Sequence, residues 1–285
     1  MDKKFLIFIG FTLAALALVF QPLQDLMDSN KRSDYYSHII LIPFVTGYLI
    51  YSRKKDLLGN PSPSYSMGGI LILLGLALYA LGLLGAKGLN FNDQVALLVF
   101  SAVVFWIGGF MLLYGLDAFR RNPFPFLFLV FMIPIPTPLM SKIIYALQWA
   151  STEVSEVLFF LIGVPYQREG FVFHLPGVSI EVAEVCSGIR SSLALFITSI
   201  LAGHFFLDRF WKKAVLAVVV FPVTVFKNGI RIITLSLLGA YVDPRFLTGG
   251  FLHQSGGFLF FIPALGLLGL ALWALRRQGS SKWKA

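Results

Sequence analysis

The side chains best suited to nucleophilic chemistry are few and widely spaced. Cys186, the only cysteine, sits in the stretch EVAEVCSGIRSS at residues 181–192. A thiol becomes a nucleophile as its thiolate, and a nearby cation favours that form. Arg190 follows four residues later, one helical turn on, and could supply that cation or anchor a helix end at the lipid headgroups. Ser187 and Gly188 allow a tight turn with backbone N–H groups beside the sulfur, as an oxyanion hole needs. Glu184, on the other flank, is a further supporting candidate.

Two more groups complete the constellation. Lys227-Asn228-Gly229-Ile230-Arg231 interrupts an apolar run. Charges at such depth are costly and are usually paired or functional. Arg231 could bind a carboxylate or steady an oxyanion, and Asn228, three residues before it, could orient it. Lys227 better fits a cation that snorkels to the interface. His253, one of four histidines with His38, His174 and His204, precedes the last apolar segment. A histidine there could take the thiol proton and later protonate a leaving amine.

These residues are carried by a membrane protein. Of 285 residues, 57% are hydrophobic and 13% charged, against about 25% charged in ordinary soluble domains. Several uncharged runs reach the roughly 18–20 residues a helix needs to cross hydrocarbon, and period-2 alternation is largely absent. The expected fold is therefore an all-α polytopic membrane protein with about eight transmembrane helices. The spans fall near residues 5–23, 35–51, 67–84, 94–116, 139–162, 193–207, 214–226 onward and 256–275. The first is read as a retained helix rather than a cleaved leader. Residues 124–132 are too short to cross before Pro134, Pro136 and Pro138, and form a re-entrant or interfacial piece.

The chain is expected to be a single integral membrane domain, residues 1–285, with an insertion at 164–185. There Phe171 to Leu175, Pro176-Gly177 and Val178 to Val182 read as strand, turn and strand. The net charge of +9 gathers in short loops, a pattern of cytoplasmic anchoring that needs no nucleic-acid partner. It places the insertion, Cys186 and His253 together on the extracytoplasmic face. One cysteine excludes an intramolecular disulfide or a thiolate-rich metal cluster. No cofactor is expected.

The same residues carry a family resemblance over almost the whole chain. Ser37-His38 with Pro43, the proline-rich stretch 134–138, residues 163–168 leading to EVAEVCSGIRSS, Asn228-x-x-Arg231 and His253 together resemble the exosortase/archaeosortase family of membrane cysteine transpeptidases. The resemblance implies that Cys186 is the nucleophile, with Arg231 and His253 as its catalytic partners; Arg190 lies in the signature without being the family's catalytic arginine. It also implies a function in protein sorting in the inner (plasma) membrane. The implied substrates are secreted, membrane-anchored proteins with a C-terminal PEP-CTERM-like motif, a transmembrane helix and a basic tail. An acceptor of unknown identity receives the cleaved end. Many bacterial members are associated with exopolysaccharide loci. The rival expectation is a transporter or non-catalytic assembly factor for exopolysaccharide export, which would tolerate loss of the thiol.

Overall fold

The computed structural model describes residues 3–28, 36–59, 62–85, 88–184, 188–243, 245–248 and 251–277, with the side chains of 247–248 and 251–258 outside the description. The architecture is helical and polytopic, with one small sheet. Among the described residues six helices are long and apolar enough to cross a membrane: Lys3–Asp28 (α1), Tyr65–Leu83 (α4), Phe91–Tyr114 (α5), Ile189–Phe206 (α9), Phe210–Tyr241 (α10) and the Leu259–Arg277 part of Phe251–Arg277 (α12). Phe124–Phe128 (α7), with the 3-10 turn Leu129–Met132, and Thr137–Ile162 (α8) pass the same test together, separated by a sharp bend at residues 133–136. Pro134 and Pro136 lie in that bend, each lacking the N–H a continuous helix would use.

The segment expected near 35–51 is a shorter helix, Leu41–Ser52 (α2), of 12 residues. At 1.5 Å per residue it reaches about 18 Å, well short of a bilayer core. Lys54–Leu58 (α3), Leu116–Arg121 (α6) and Arg245–Thr248 (α11) are short connecting helices.

The chain divides into two compact units, residues 1–140 and 141–285. In the first, α4 lies directly on α5 because glycines remove the side chains that would separate them. A Cβ on Gly68 would stand 2.5 Å from the Leu112 nitrogen, one on Gly75 2.7 Å from that of Phe105, and one on Gly108 2.8 Å from that of Ile72. Gly68 and Gly75 are seven residues apart and so share a helix face. Small residues of this kind let backbones approach in lipid, where no hydrophobic force drives helices together. Phe8 of α1, Phe110 and Tyr114 of α5, and Phe126 of α7 fill the adjoining core, with the Phe110 and Phe126 rings 4.4 Å apart.

At its other end α5 begins with polar residues. Asn90 caps it by accepting from the Asp93 N–H, and Asn92 donates to the Ile135 carbonyl at 3.0 Å. The Asp93 carboxylate accepts the Thr137 N–H at 2.6 Å. A carboxylate at that first turn of α8 suits the positive end of the helix dipole.

In the second unit α9, α10 and α12 share a core of Leu195, Leu207, Leu216, Val220, Ala264, Leu268 and Leu275. Lys212, buried at the start of α10, donates to the Leu275 carbonyl in the last turn of α12 at 2.6 Å. The insertion folds as an antiparallel meander of Gln167–Glu169 (β1), Val172–Leu175 (β2) and Val178–Glu181 (β3). Leu175 pairs with Val178 across Pro176-Gly177, and Gly177 has φ +81°, as the third residue of a type II turn requires. The expected hairpin is present, and β1 adds a third strand to it.

Phe173 of β2 and Phe159 of α8 pack with Leu175, Val182, Ile232 and Ile233, so one apolar cluster joins the sheet, α8 and α10. Arg168 of β1 meets Glu153 at 2.8 Å and also pairs with Glu156, both on α8. The two carboxylates that interrupt the apolar run 139–162 thereby hold the sheet. Hydrogen bonding to Glu153, supplemented by Glu156, holds the Arg168 guanidinium above its ordinary pKa against its partial burial.

Candidate active site

Three elements of the second unit present polar side chains to one another inside the protein. The first is α8, whose Gln148, Ser151, Thr152 and Ser155 are all buried. Their spacing of three, four and seven residues makes one helical stripe. Thr152 donates back to the Gln148 carbonyl and Ser155 to the Ser151 carbonyl, each at 2.8 Å. These local bonds settle both hydroxyls without a distant partner. Gln148 instead reaches the end of the sheet, donating to the Val182 carbonyl at 2.6 Å.

The second element is α10, one unbroken helix of 32 residues. Gly229 is the contact with α8: a Cβ there would stand 2.7 Å from Cγ1 of Val154. That close approach brings Asn228, fully buried, to Ser151, to whose Oγ it donates at 3.0 Å. Lys227 is 6% exposed and donates to Ser191 Oγ of α9. Its expected snorkelling role does not hold, since the helix face carrying Asn228 and Lys227 turns inward. Arg231, one turn beyond Lys227, is partly buried, and its Nε is out of solvent with no hydrogen-bond partner among the described residues. A buried donor left unpaired costs on the order of 1–3 kcal/mol.

The third element is the entry to α9. Gly188 adopts φ +72°, ψ 18° and precedes the helix as its N-cap residue. A side chain there would be strained by that conformation and would also bring its Cβ to 3.2 Å from Asn228 Oδ1 and 3.5 Å from Lys227 Nζ. Glycine at 188 therefore seats this turn directly on the polar residues of α10. The Gly188 carbonyl accepts from Ser191 Oγ at 2.9 Å, Ser192 Oγ at 2.7 Å and Ser192 N at 3.0 Å. Ser191 thus links the Lys227 ammonium to the first turn of α9.

The residues singled out by sequence divide as follows. Gly188, Asn228 and Arg231 belong to this polar assembly, which sequence reasoning extended neither to Lys227 and Ser191 nor to the stripe on α8. Glu184 and Arg190 are exposed. Cys186 and Ser187 lie outside the described residues, between Glu184 and Gly188. Because α9 begins at Ile189, the expected helical pairing of Cys186 with Arg190 falls outside the described helix. His253 is in the first turn of α12, with its side chain outside the description. His174 is on β2, where its Nδ1 shares a 2.8 Å hydrogen bond with Ser179 Oγ. His204 is in the last turn of α9. Among the described residues no three His, Cys, Asp or Glu side chains gather as a metal site would require.

A polytopic helical membrane protein with cations and amides held inside its helices belongs to a class in which such residues usually serve a function. The family model for transmembrane exosortases matches residues 28–270, and the chain belongs to that family. It is thus a multi-pass membrane protein of the kind that serves protein sorting. No curated protein and no solved structure matches the chain.

Proposed function

We propose that this exosortase is a cysteine transpeptidase acting on secreted, membrane-anchored proteins that carry a C-terminal sorting signal of the PEP-CTERM type. The observation that carries the reading is the buried Nε of Arg231, without a partner among the described residues, on the helix face against which Gly188 is seated. Gly188 follows the sole thiol of the chain by two residues. A donor held in this state suits an oxyanion that exists only during reaction.

In this mechanism the Cys186 thiolate attacks a peptide carbonyl carbon, and the carbonyl oxygen becomes an oxyanion that Arg231 stabilises. The carbon–nitrogen bond then breaks, His253 protonates the departing amine, and a thioester to Cys186 remains. An acceptor amine loses its proton to His253 and attacks the thioester, releasing the thiolate and forming a new amide. Water in place of the amine gives hydrolysis. Lys227 joins the reading as a second cation: through Ser191 it holds the turn at Gly188. Asn228, donating to Ser151, fixes that face of α10. The localisation that accompanies the reading is the inner (plasma) membrane with the site toward the extracytoplasmic face, as the basic loops suggest.

The test uses membranes holding a candidate tagged substrate with wild-type protein or Cys186→Ser. The expected result is a substrate fragment on Cys186 through a hydroxylamine-labile bond, and no processing by Cys186→Ser. Sorting that survives Cys186→Ser would overturn the reading and favour a carrier that binds an anionic glycan or lipid.

A further inference from the structure

A second place in the molecule gathers charge around a cavity and uses none of the residues proposed for catalysis. It lies in the first unit, where α2 and α5 end. The chain leaves α2 through Arg53 into α3, and leaves α5 through Gly115 into α6. Leu57 of α3 and Ala118 of α6 are both completely buried in the same aromatic core. Each short helix is therefore held by an apolar anchor, and its polar residues form a wall.

Between these walls is a recess of about 420 Å³ lined by Arg53, Lys55, Asp56, Arg121 and Asn122. Three cations face one carboxylate, a net lining charge of +2. Asp56 is 3.9 Å from Arg53, with both side chains well exposed, a spacing that leaves most of the guanidinium available. Two arginines, a lysine and an amide make a donor set for a phosphate: guanidinium forks match its oxygens in pairs, and an ammonium adds a point charge.

The helix that runs up to the recess decides between a free anion and a lipid. Phe44, Tyr48 and Tyr51 of α2 are 72%, 61% and 66% exposed. Their spacing of four and then three residues puts them on one helix face. This apolar strip runs along α2 to the residue range where Arg53 begins the recess. The Lys54 ammonium stands 4.3 Å from the Tyr51 ring centroid, so cation and apolar surface meet at its end. Aromatic and basic side chains so ordered fit the boundary between acyl chain and headgroup.

We propose that the recess binds the phosphate headgroup of an anionic membrane phospholipid, whose acyl chain lies along Phe44, Tyr48 and Tyr51. The binding is a site with one phosphate held from two walls, beyond the general attraction of basic loops to an anionic leaflet.

The experiment is native mass spectrometry of the full-length protein released from detergent, titrated with phosphatidylglycerol or phosphatidylcholine. The wild type is expected to retain one phosphatidylglycerol in preference to phosphatidylcholine. The combined change Arg53→Gln, Lys55→Gln and Arg121→Gln should weaken that binding on the order of tenfold or more. Asp56→Asn should strengthen it several-fold, an effect that damage to the fold would not produce. Arg121→Lys, which keeps the charge, should retain most of it. Equal retention of the two lipids, or equal binding by wild type and the triple variant, would overturn the proposal. Displacement of phosphatidylglycerol by inorganic phosphate at comparable concentration would overturn the assignment to a lipid.

Discussion

The α4–α5 seam and the α8–α10 seam both have glycine at the contact, and they use the space differently. Between α4 and α5, Gly68, Gly75 and Gly108 meet backbone and apolar atoms, and the neighbouring core is aromatic. Between α8 and α10 a single glycine, Gly229, meets Val154, and Asn228 beside it reaches Ser151. The first seam is close for the sake of packing. In the second, the Asn228 amide and the Ser151 hydroxyl meet where water does not compete for them, which strengthens their hydrogen bond. The difference separates a seam made of packing alone from one that also buries a polar contact.

The contrast predicts different failures. The largest effect should come from Gly75→Leu, which drives a side chain into the Phe105 backbone. It should cost about 3 kcal/mol or more and abolish accumulation of folded protein, read by detergent-extracted yield and melting. Accumulation equal to wild type would break the account of that seam. Arg231→Met should leave yield unchanged but lower substrate processing by about 10²–10³-fold, the usual effect of losing an oxyanion donor. A drop in yield that matched the drop in activity would instead make Arg231 a packing residue.

Gly188→Ala combines strain at positive φ with crowding of Asn228. About 1–2 kcal/mol of destabilisation is expected, seen as a lower melting temperature together with slower processing. The smallest effect should be that of Ser151→Ala, which removes the acceptor of the Asn228 amide and should cost about 1 kcal/mol. Restoration by Ser151→Thr, which keeps the hydroxyl, would sharpen the case that the hydrogen bond matters.

Much of this was legible in the sequence, for identifiable reasons. Long uncharged runs mark α1, α4, α5, α9, α10 and α12 because lipid leaves the backbone no partner but itself. Pro176-Gly177 between two β-forming runs marks the β2–β3 hairpin. β1 escaped because Gln167-Arg168-Glu169 has no β-branched or aromatic residue, and pairing with β2 is what makes it a strand. Lys227 reads as a snorkelling cation in the sequence because a lysine's side chain can reach an interface from many depths, and only the packing of Gly188 and Ser191 against α10 shows that it turns inward. The stripe on α8 carries a periodic signal, Gln148, Ser151, Thr152 and Ser155, inside a run that reads as a span by its overall apolarity. Cys186 and His253 rest on residue type and motif.

The clamp of Arg168 on Glu153 and Glu156 bears on how the protein is made. Ribosomes deliver α8 before β1, so both carboxylates meet the insertion machinery ahead of the cation that pairs with them. Acidic residues weigh against partition of a segment into hydrocarbon. Stable integration of α8 is therefore expected to depend on delivery of the strand that follows it. Released chains truncated before Arg168 should integrate α8 less efficiently than chains extending past the meander, and Arg168→Ala should remove the difference. On that outcome the sheet is a late-arriving latch for the helix that precedes it.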